Sequence, residues 1–273
     1  MRRVTMFAAG AVLAGLALAG CGSKEAGTPS PQGGDGNGEQ LTLQLLAEKL
    51  GANSSTKSGA HMKMSMEVAG QTVKAEGDMK LGAAPAMDIT YELAGLGSAR
   101  MLLVDDAFYF ELPKSAQQNG KPWVKLDPNG NDALSQSLGG ALSETKKNSD
   151  PSQMLKQIEG AGDITAKKQE QLDGKQTTHY SVTVDLKKYA EKVTPEMKST
   201  LQKAIDAGVT TYPMEVWVDQ DNLPVRVTVS TPFTNPANNQ PDTIKMTMDY
   251  SDWGKAVTVT APPADQIGEL PGR

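Results

Sequence analysis

The spacing of apolar residues constrains this chain more than any other feature. Between His61 and Leu93 the sequence runs on a period of two. Met62, Met64, Met66 and Val68 alternate with Lys63, Ser65 and Glu67. Val73, Ala75, Met79 and Leu81 alternate with Lys74, Glu76, Asp78 and Lys80. Met87, Ile89, Tyr91 and Leu93 alternate with Asp88, Thr90 and Glu92. Successive side chains of a strand point to opposite faces, so this pattern predicts strands with one apolar and one wet face. Short connections at Ala69-Gly70-Gln71 and around Pro85 join the three into an antiparallel meander.

The same period returns along the chain. Met101–Val104 turns at Asp105-Asp106 into Ala107–Leu112, and Trp123–Leu126 is a short strand closing this half. Asp163–Gln171 and Lys175–Asp185 flank Asp173-Gly174, a dipeptide favoured in tight hairpins. Met214–Asp219 and Leu223–Ser230 flank Gln220-Asp221-Asn222, and Thr243–Tyr250 puts Ile244, Met246, Met248 and Tyr250 on one face. Ala256–Thr260 reads as a last short strand.

Helical spacing appears at Leu41–Leu50, where Gly51 reads as the stop, and at Asn131–Lys146 and Pro151–Ile158. Lys187–Val193 and Pro195–Ala207 read as a helical insert. About ten or eleven strands and three or four helices, with no βαβ alternation, predict an α+β fold: one large antiparallel sheet with helices on one side. Strand twist accumulates, so a sheet of this size must curl, and with its apolar face inward it encloses a core or a cavity.

The N-terminal segment answers to different rules. Arg2 and Arg3 precede an apolar run from Met6 to Gly20. A basic start and a short apolar run make a secretory signal, shorter than the roughly 20 apolar residues that span a bilayer. Leu18-Ala19-Gly20-Cys21 resembles the bacterial lipobox. That resemblance implies cleavage between Gly20 and Cys21, diacylation of the Cys21 thiol, and anchoring of the mature protein to the extracytoplasmic face of the cell membrane. Cys21 is the only cysteine, so an internal disulfide is impossible. Gly22–Gln40 is rich in Gly, Ser, Pro, Asn and Asp and reads as a flexible tether with a reach on the order of 25 Å. The expected organisation is thus a signal at 1–20, a lipidated linker at 21–40, a folded domain at 41–265 and a tail at 266–273.

Composition excludes more than it assigns. Loss of Arg2 and Arg3 with the signal takes the net charge from −5 to −7, which argues against nucleic acid as a partner. His61 and His179 are the only histidines, and each lies on the polar phase of an expected strand, which predicts surface positions. Neither a nucleophile elbow around Ser98 nor a metal-ligand spacing is present. Asp127-Pro128-Asn129-Gly130-Asn131 begins like a calcium loop but has Asp132 and Leu138 where that loop needs Gly and Glu. The chain therefore reads as no enzyme, with no metal and no cofactor. The compositional oddity is methionine, 13 in all. Met62, Met64, Met66, Met79, Met87, Met246 and Met248 fall on apolar strand phases together with Ile89 and Tyr91. Flexible, polarizable methionine suits surfaces that accept variable apolar partners, and acyl chains are such partners. These nine residues are the candidate lining of a ligand cavity.

The last third carries a resemblance. Val216-Trp217-Val218-Asp219, Leu223-Pro224-Val225-Arg226, Tyr250-Ser251-Asp252-Trp253-Gly254 and Val257-Thr258-Val259-Thr260-Ala261-Pro262-Pro263 resemble actinobacterial lipoproteins of the LppX/LprG type. The similarity spans residues 41–265 and is densest after 214. It implies a U-shaped half-barrel sheet with helices on the concave side, an apolar cavity between them, and binding of acylated lipids during transport across the envelope. Trp253 is expected to close one barrel edge, with Gly254 in a positive-φ turn. The alternative is an envelope interaction or signalling lipoprotein with a filled core and a protein partner.

Overall fold

Tight turns set the register of the sheet. Ala69-Gly70, Asp105-Asp106 and Asp173-Gly174 all have positive φ at both central residues. That geometry matches the right-handed twist of the strands it joins. In this computed structural model the described residues are 42–93, 97–112, 114, 117, 119–126, 151–193, 195–235 and 240–268. Cys21, the tether, Leu41, the calcium-like loop and the helix expected at Asn131–Lys146 lie outside them.

The strands are β1 (Gly59–Val68), β2 (Gln71–Lys80), β3 (Ala86–Leu93), β4 (Gly97–Val104), β5 (Ala107–Glu111), β6 (Trp123–Leu126), β7 (Gly162–Leu172), β8 (Lys175–Asp185), β9 (Thr211–Val218), β10 (Pro224–Asn235), β11 (Gln240–Ser251) and β12 (Ile267–Gly268). They form one 12-stranded sheet in the order β12-β6-β5-β4-β3-β2-β1-β11-β10-β9-β8-β7. Two meanders, β1 to β6 and β7 to β11, run outward from the antiparallel β1–β11 pair at the middle. This is the α+β arrangement with a single large curved sheet. Gly77 lies on the inward phase of β2, and a Cβ there would come within 1.9 Å of the Asp88 carbonyl oxygen. Only glycine permits so close an approach of neighbouring strand backbones.

Among the described residues four α-helices cover the apolar face: α1 (Leu43–Ser54), α2 (Pro151–Gln157), α3 (Leu186–Ala190) and α4 (Pro195–Asp206). Leu43, Leu46, Ala47 and Leu50 of α1, with Leu155, Leu186 and Leu201 from the others, join one core cluster with the inward residues of β1 to β11. At roughly 1.5–3 kcal/mol for each large side chain taken from water, this face dominates the stability of the fold. Thr42 caps α1, its hydroxyl accepting from the Leu45 amide at 3.2 Å. Gly51 does not stop this helix, contrary to expectation, and α1 runs on to Ser54. The reason is packing: a Cβ on Gly51 would sit 2.9 Å from the Ser152 hydroxyl, so the glycine serves the approach of α2. The buried apolar stripe of α1 is Leu43, Leu46, Ala47 and Leu50.

The C-terminal end departs further from expectation. Gly254 takes the expected positive φ. Trp253 does not close an edge, because β11 lies between β1 and β10. Its ring packs 5.9 Å from Tyr250, and its Nε1 donates to the Pro224 carbonyl at 3.1 Å. Ala256–Thr260 is not a strand. Val259 and Ala261 instead pack on Leu102, Val104, Ala107, Tyr109 and Trp123, which form a second cluster on the outward face of β4 to β6. Those apolar side chains need cover, and the extended segment supplies it. The chain then makes a twelfth strand, β12, parallel to β6 with Ile267 opposite Trp123.

Candidate ligand site on the inward face

Register brings the nine predicted residues onto one face of four adjacent strands, β3-β2-β1-β11. Met64 lies opposite Met248, and Met66 opposite Met246. On the other side of β1, Met62 pairs with Gly77, Met64 with Ala75, and Ala60 with Met79. Beyond β2, Met79 faces Met87, Gly77 faces Ile89, and Ala75 faces Tyr91. Ala60, Ala75 and Gly77 are small, and long methionine side chains lie opposite or beside them in the register.

Burial divides the nine. Met79, Met87, Ile89 and Met248 are buried members of the main core cluster. Met62, Met64, Tyr91 and Met246 pack against that cluster while staying partly exposed, and Met66 is also only partly buried. Met62, Met64, Met66 and Met246 are thus near neighbours on β1 and β11 and form an incompletely covered apolar patch. The patch offers thioethers and methylenes and few strong hydrogen-bonding groups. The Tyr250 hydroxyl reaches the Met248 sulfur at 3.6 Å, and burial pushes the Tyr91 hydroxyl above the ordinary tyrosine range. Such a surface can accept an apolar ligand of variable shape.

The outward face corrects the reading of His179. His179 is not a surface residue but is 9% exposed. Its ring stacks on Trp217 with centroids 4.0 Å apart. Nε2 lies 2.6 Å from Glu215, and Nδ1 lies 2.9 Å from Glu170. Glu170 also accepts from Trp217 Nε1 at 2.6 Å. Lys168 and Trp217, both hydrogen-bonded to Glu170, hold its carboxyl below the usual range. His61 is half-buried and contacts Asp78 at 2.7 Å, with Lys255 donating to the same carboxyl oxygen at 2.8 Å. Sequence reasoning missed these partners because they sit one strand away. The only signal was the run of charges on the polar phase, and the register had to be known before they could be paired. Among the described residues no group of three or more acidic, histidine or cysteine side chains is arranged to hold a metal. No helix among them is long and apolar enough to cross a membrane.

Comparison with known proteins adds the following. No family model matches the chain. It is 27% identical over 199 residues to the uncharacterized 31.2 kDa protein of the rplA-rplJ intergenic region of Streptomyces griseus, a match that covers 67% of this chain and spans 63% of the length of that relative. Among solved structures, Pseudomonas aeruginosa MucB in its complex with MucA aligns with a TM-score of 0.35 at 14% identity, covering 82% of this chain and 59% of that one. The Mycobacterium tuberculosis lipoprotein LppX aligns with a TM-score of 0.48 at 14% identity, covering 80% of this chain and 98% of that one.

Proposed function

We propose that this protein is a lipoprotein anchored through Cys21 to the extracytoplasmic face of the cell membrane. It holds an apolar ligand, a lipid or the acyl chains of a lipoglycan, between the inward methionine patch and the helices, and carries it across the envelope. The observation that supports this most is the patch itself: Met62, Met64, Met66 and Met246 lie together on the inward face yet stay partly exposed beside a well-filled core. A soluble fold with no use for such a surface covers it. The mechanism is non-covalent. Acyl chains leave water at roughly 25 cal/mol per Å² buried, methionine side chains re-pack around them, and no nucleophile or base takes part. The lipobox and the LppX/LprG resemblance support the anchor and the ligand class.

The filled part of the core supports a second reading, an envelope interaction module with a protein partner. Phe108, Leu50, Leu103 and Leu155 are all buried in it. One experiment separates the two. Residues 22–273, expressed without acylation, are purified, weighed by native mass spectrometry and extracted with organic solvent. A stoichiometric lipid is the expected result. A bare mass that stays bare after incubation with envelope lipids moves the assignment to the interaction module.

A further inference from the structure

The sheet ends differently on its two sides. On one side β7 is the last strand, and it shows Lys167 and Lys168 to solvent. Charged side chains of this kind keep a free edge from pairing with other strands. On the other side the chain covers β6, a strand of four residues, with its own residues 255–268. Val259, Ala261 and Ile267 pack on the outward face of β4 to β6, and β12 then pairs with β6. One segment thus covers both the apolar side chains of that face and part of the strand edge beside them. Under it Leu102, Val104, Ala107, Tyr109 and Trp123 are each at most 7% exposed.

What holds this segment is sparse. Among the described residues, no main-chain group from Ala256 to Pro262 has a hydrogen-bond partner. Ala256, Thr258 and Thr260 are exposed and alternate with the half-buried Val257 and Val259. Polar contacts are confined to the two ends. At the start, Lys255 Nζ donates to Asp78 at 2.8 Å, and the Lys255 carbonyl accepts from the Ser58 hydroxyl at 3.1 Å. At the far end β12 has two residues, and Lys121 Nζ donates to the Ile267 carbonyl at 3.1 Å. The base, in contrast, is fixed. Trp253 Nε1 donates to the Pro224 carbonyl, and the Gly254 amide donates to the Gly59 carbonyl at 2.8 Å. Gly254 has a φ of +89°, so the fixed base ends at a residue whose backbone turns freely.

A segment with few buried contacts and no main-chain ladder opens at lower free energy than the strands beneath it. β12 is also the last strand in the order, so its release leaves the pairing of the other eleven intact. We propose that residues 255–268 are a strap that opens as one unit about Gly254 while β1 to β11 stay paired. Opening uncovers the outward apolar cluster and the free side of β6 together, and closing hides both. The strap is a built-in switch between a guarded and an open sheet edge. It lies on the opposite face from the methionine patch and does not rest on the lipid reading.

The test places a thiol under the strap in the full chain. Val104→Cys puts one on the covered face of β4, and Val182→Cys puts one in the inward core, where Val182 is 1% exposed. Each variant is treated with a small thiol reagent, and the labelled residue is located by peptide mass. Only label at the introduced cysteine is counted, so the state of Cys21 does not enter the result. Val104→Cys is expected to label at least roughly a hundredfold faster than Val182→Cys, which reacts only when the whole domain opens. Lys255→Met should speed labelling of Val104→Cys at least about threefold and leave Val182→Cys unchanged. Ser58→Ala loosens the same end and replaces Lys255→Met where that variant does not fold. Equal rates at the two cysteines overturn the proposal, since the strap would then open only with the whole domain. A Val104→Cys rate that neither Lys255→Met nor Ser58→Ala changes also overturns it, since the reagent would then reach that thiol past a closed strap.

Discussion

The inward face is built from two different materials. Over β8, β9 and β10 it is mostly valine: Val182, Val184, Val216, Val218 and Val227 are each at most 2% exposed. Over β1, β2, β3 and β11 it is rich in methionine, with small residues between and four methionines left partly exposed. Both halves obey the same period of two and the same antiparallel ladder, so secondary structure does not distinguish them. The side chains do. Valine is β-branched and stiff at χ1, and it packs into one arrangement on a pleated surface. Methionine has three rotatable bonds and adapts to irregular space. One half of the sheet therefore fixes the shape of the domain, and the other half can change its surface at little cost.

A buried charge tests the division most severely. Val216→Asp places a carboxylate at a position with no exposure and no partner, and is expected to cost several kcal/mol, enough to unfold the domain at room temperature. Met66→Asp, on the partly exposed patch, should leave the domain folded and abolish co-purification of lipid. Urea midpoints and extracted lipid on the same samples check both. A folded Val216→Asp domain would show that the valine half is not rigid. Full loading in Met66→Asp and in Met64→Asp with Met248→Asp would remove the patch as the ligand surface.

Swapping the materials has a smaller effect. Val182→Met forces extra volume into a filled region and should cost about 1–3 kcal/mol. The reverse, Met64→Val, should cost less than about 1.5 kcal/mol while narrowing the range of acyl lengths retained. Chemical denaturation and the chain-length distribution of extracted lipid measure the pair. Equal costs in both directions would erase the distinction between the halves.

Much of this division was legible in the sequence. The period of two placed each methionine on the correct phase without a structure, because side-chain alternation is a local property of the strand. The turns at Ala69-Gly70, Asp105-Asp106 and Asp173-Gly174 were legible for the same reason. What failed was non-local. Gly51 reads as a helix stop by propensity, and only the approach of Ser152 explains why it lies inside α1. Val257, Val259 and Ala261 alternate like a strand, but the apolar outward residues of β4 to β6 draw that segment across the face instead. His179 sits on the polar phase as expected, and it is buried because Trp217, Glu170 and Glu215 from neighbouring strands enclose it.

The smallest effect expected concerns the outward carboxylates, one in each half, where the two materials should make no difference. In the methionine half, burial pushes the Asp78 carboxyl up, but hydrogen bonds from Lys255 and His61 outweigh it and hold the group below the ordinary aspartate value. In the valine half, Lys168 and Trp217 hold Glu170 below its ordinary value. A carboxyl whose pKa is depressed by folding adds stability above its unfolded pKa, about 4. That stability is lost as pH falls through the folded value. Asp78 is 36% exposed, so solvent screening limits its share to about 1 kcal/mol or less. Urea midpoints measured from neutral pH down to about pH 3 should therefore fall for the unmodified protein. The decline should be slightly shallower for Asp78→Asn and for Glu170→Gln, with both variants a little less stable than the parent at neutral pH. An unchanged slope in Asp78→Asn would mean that the Lys255 contact does not hold that carboxyl in solution. A large change in one half alone would mean that the halves differ on both faces of the sheet and not only on the inner one.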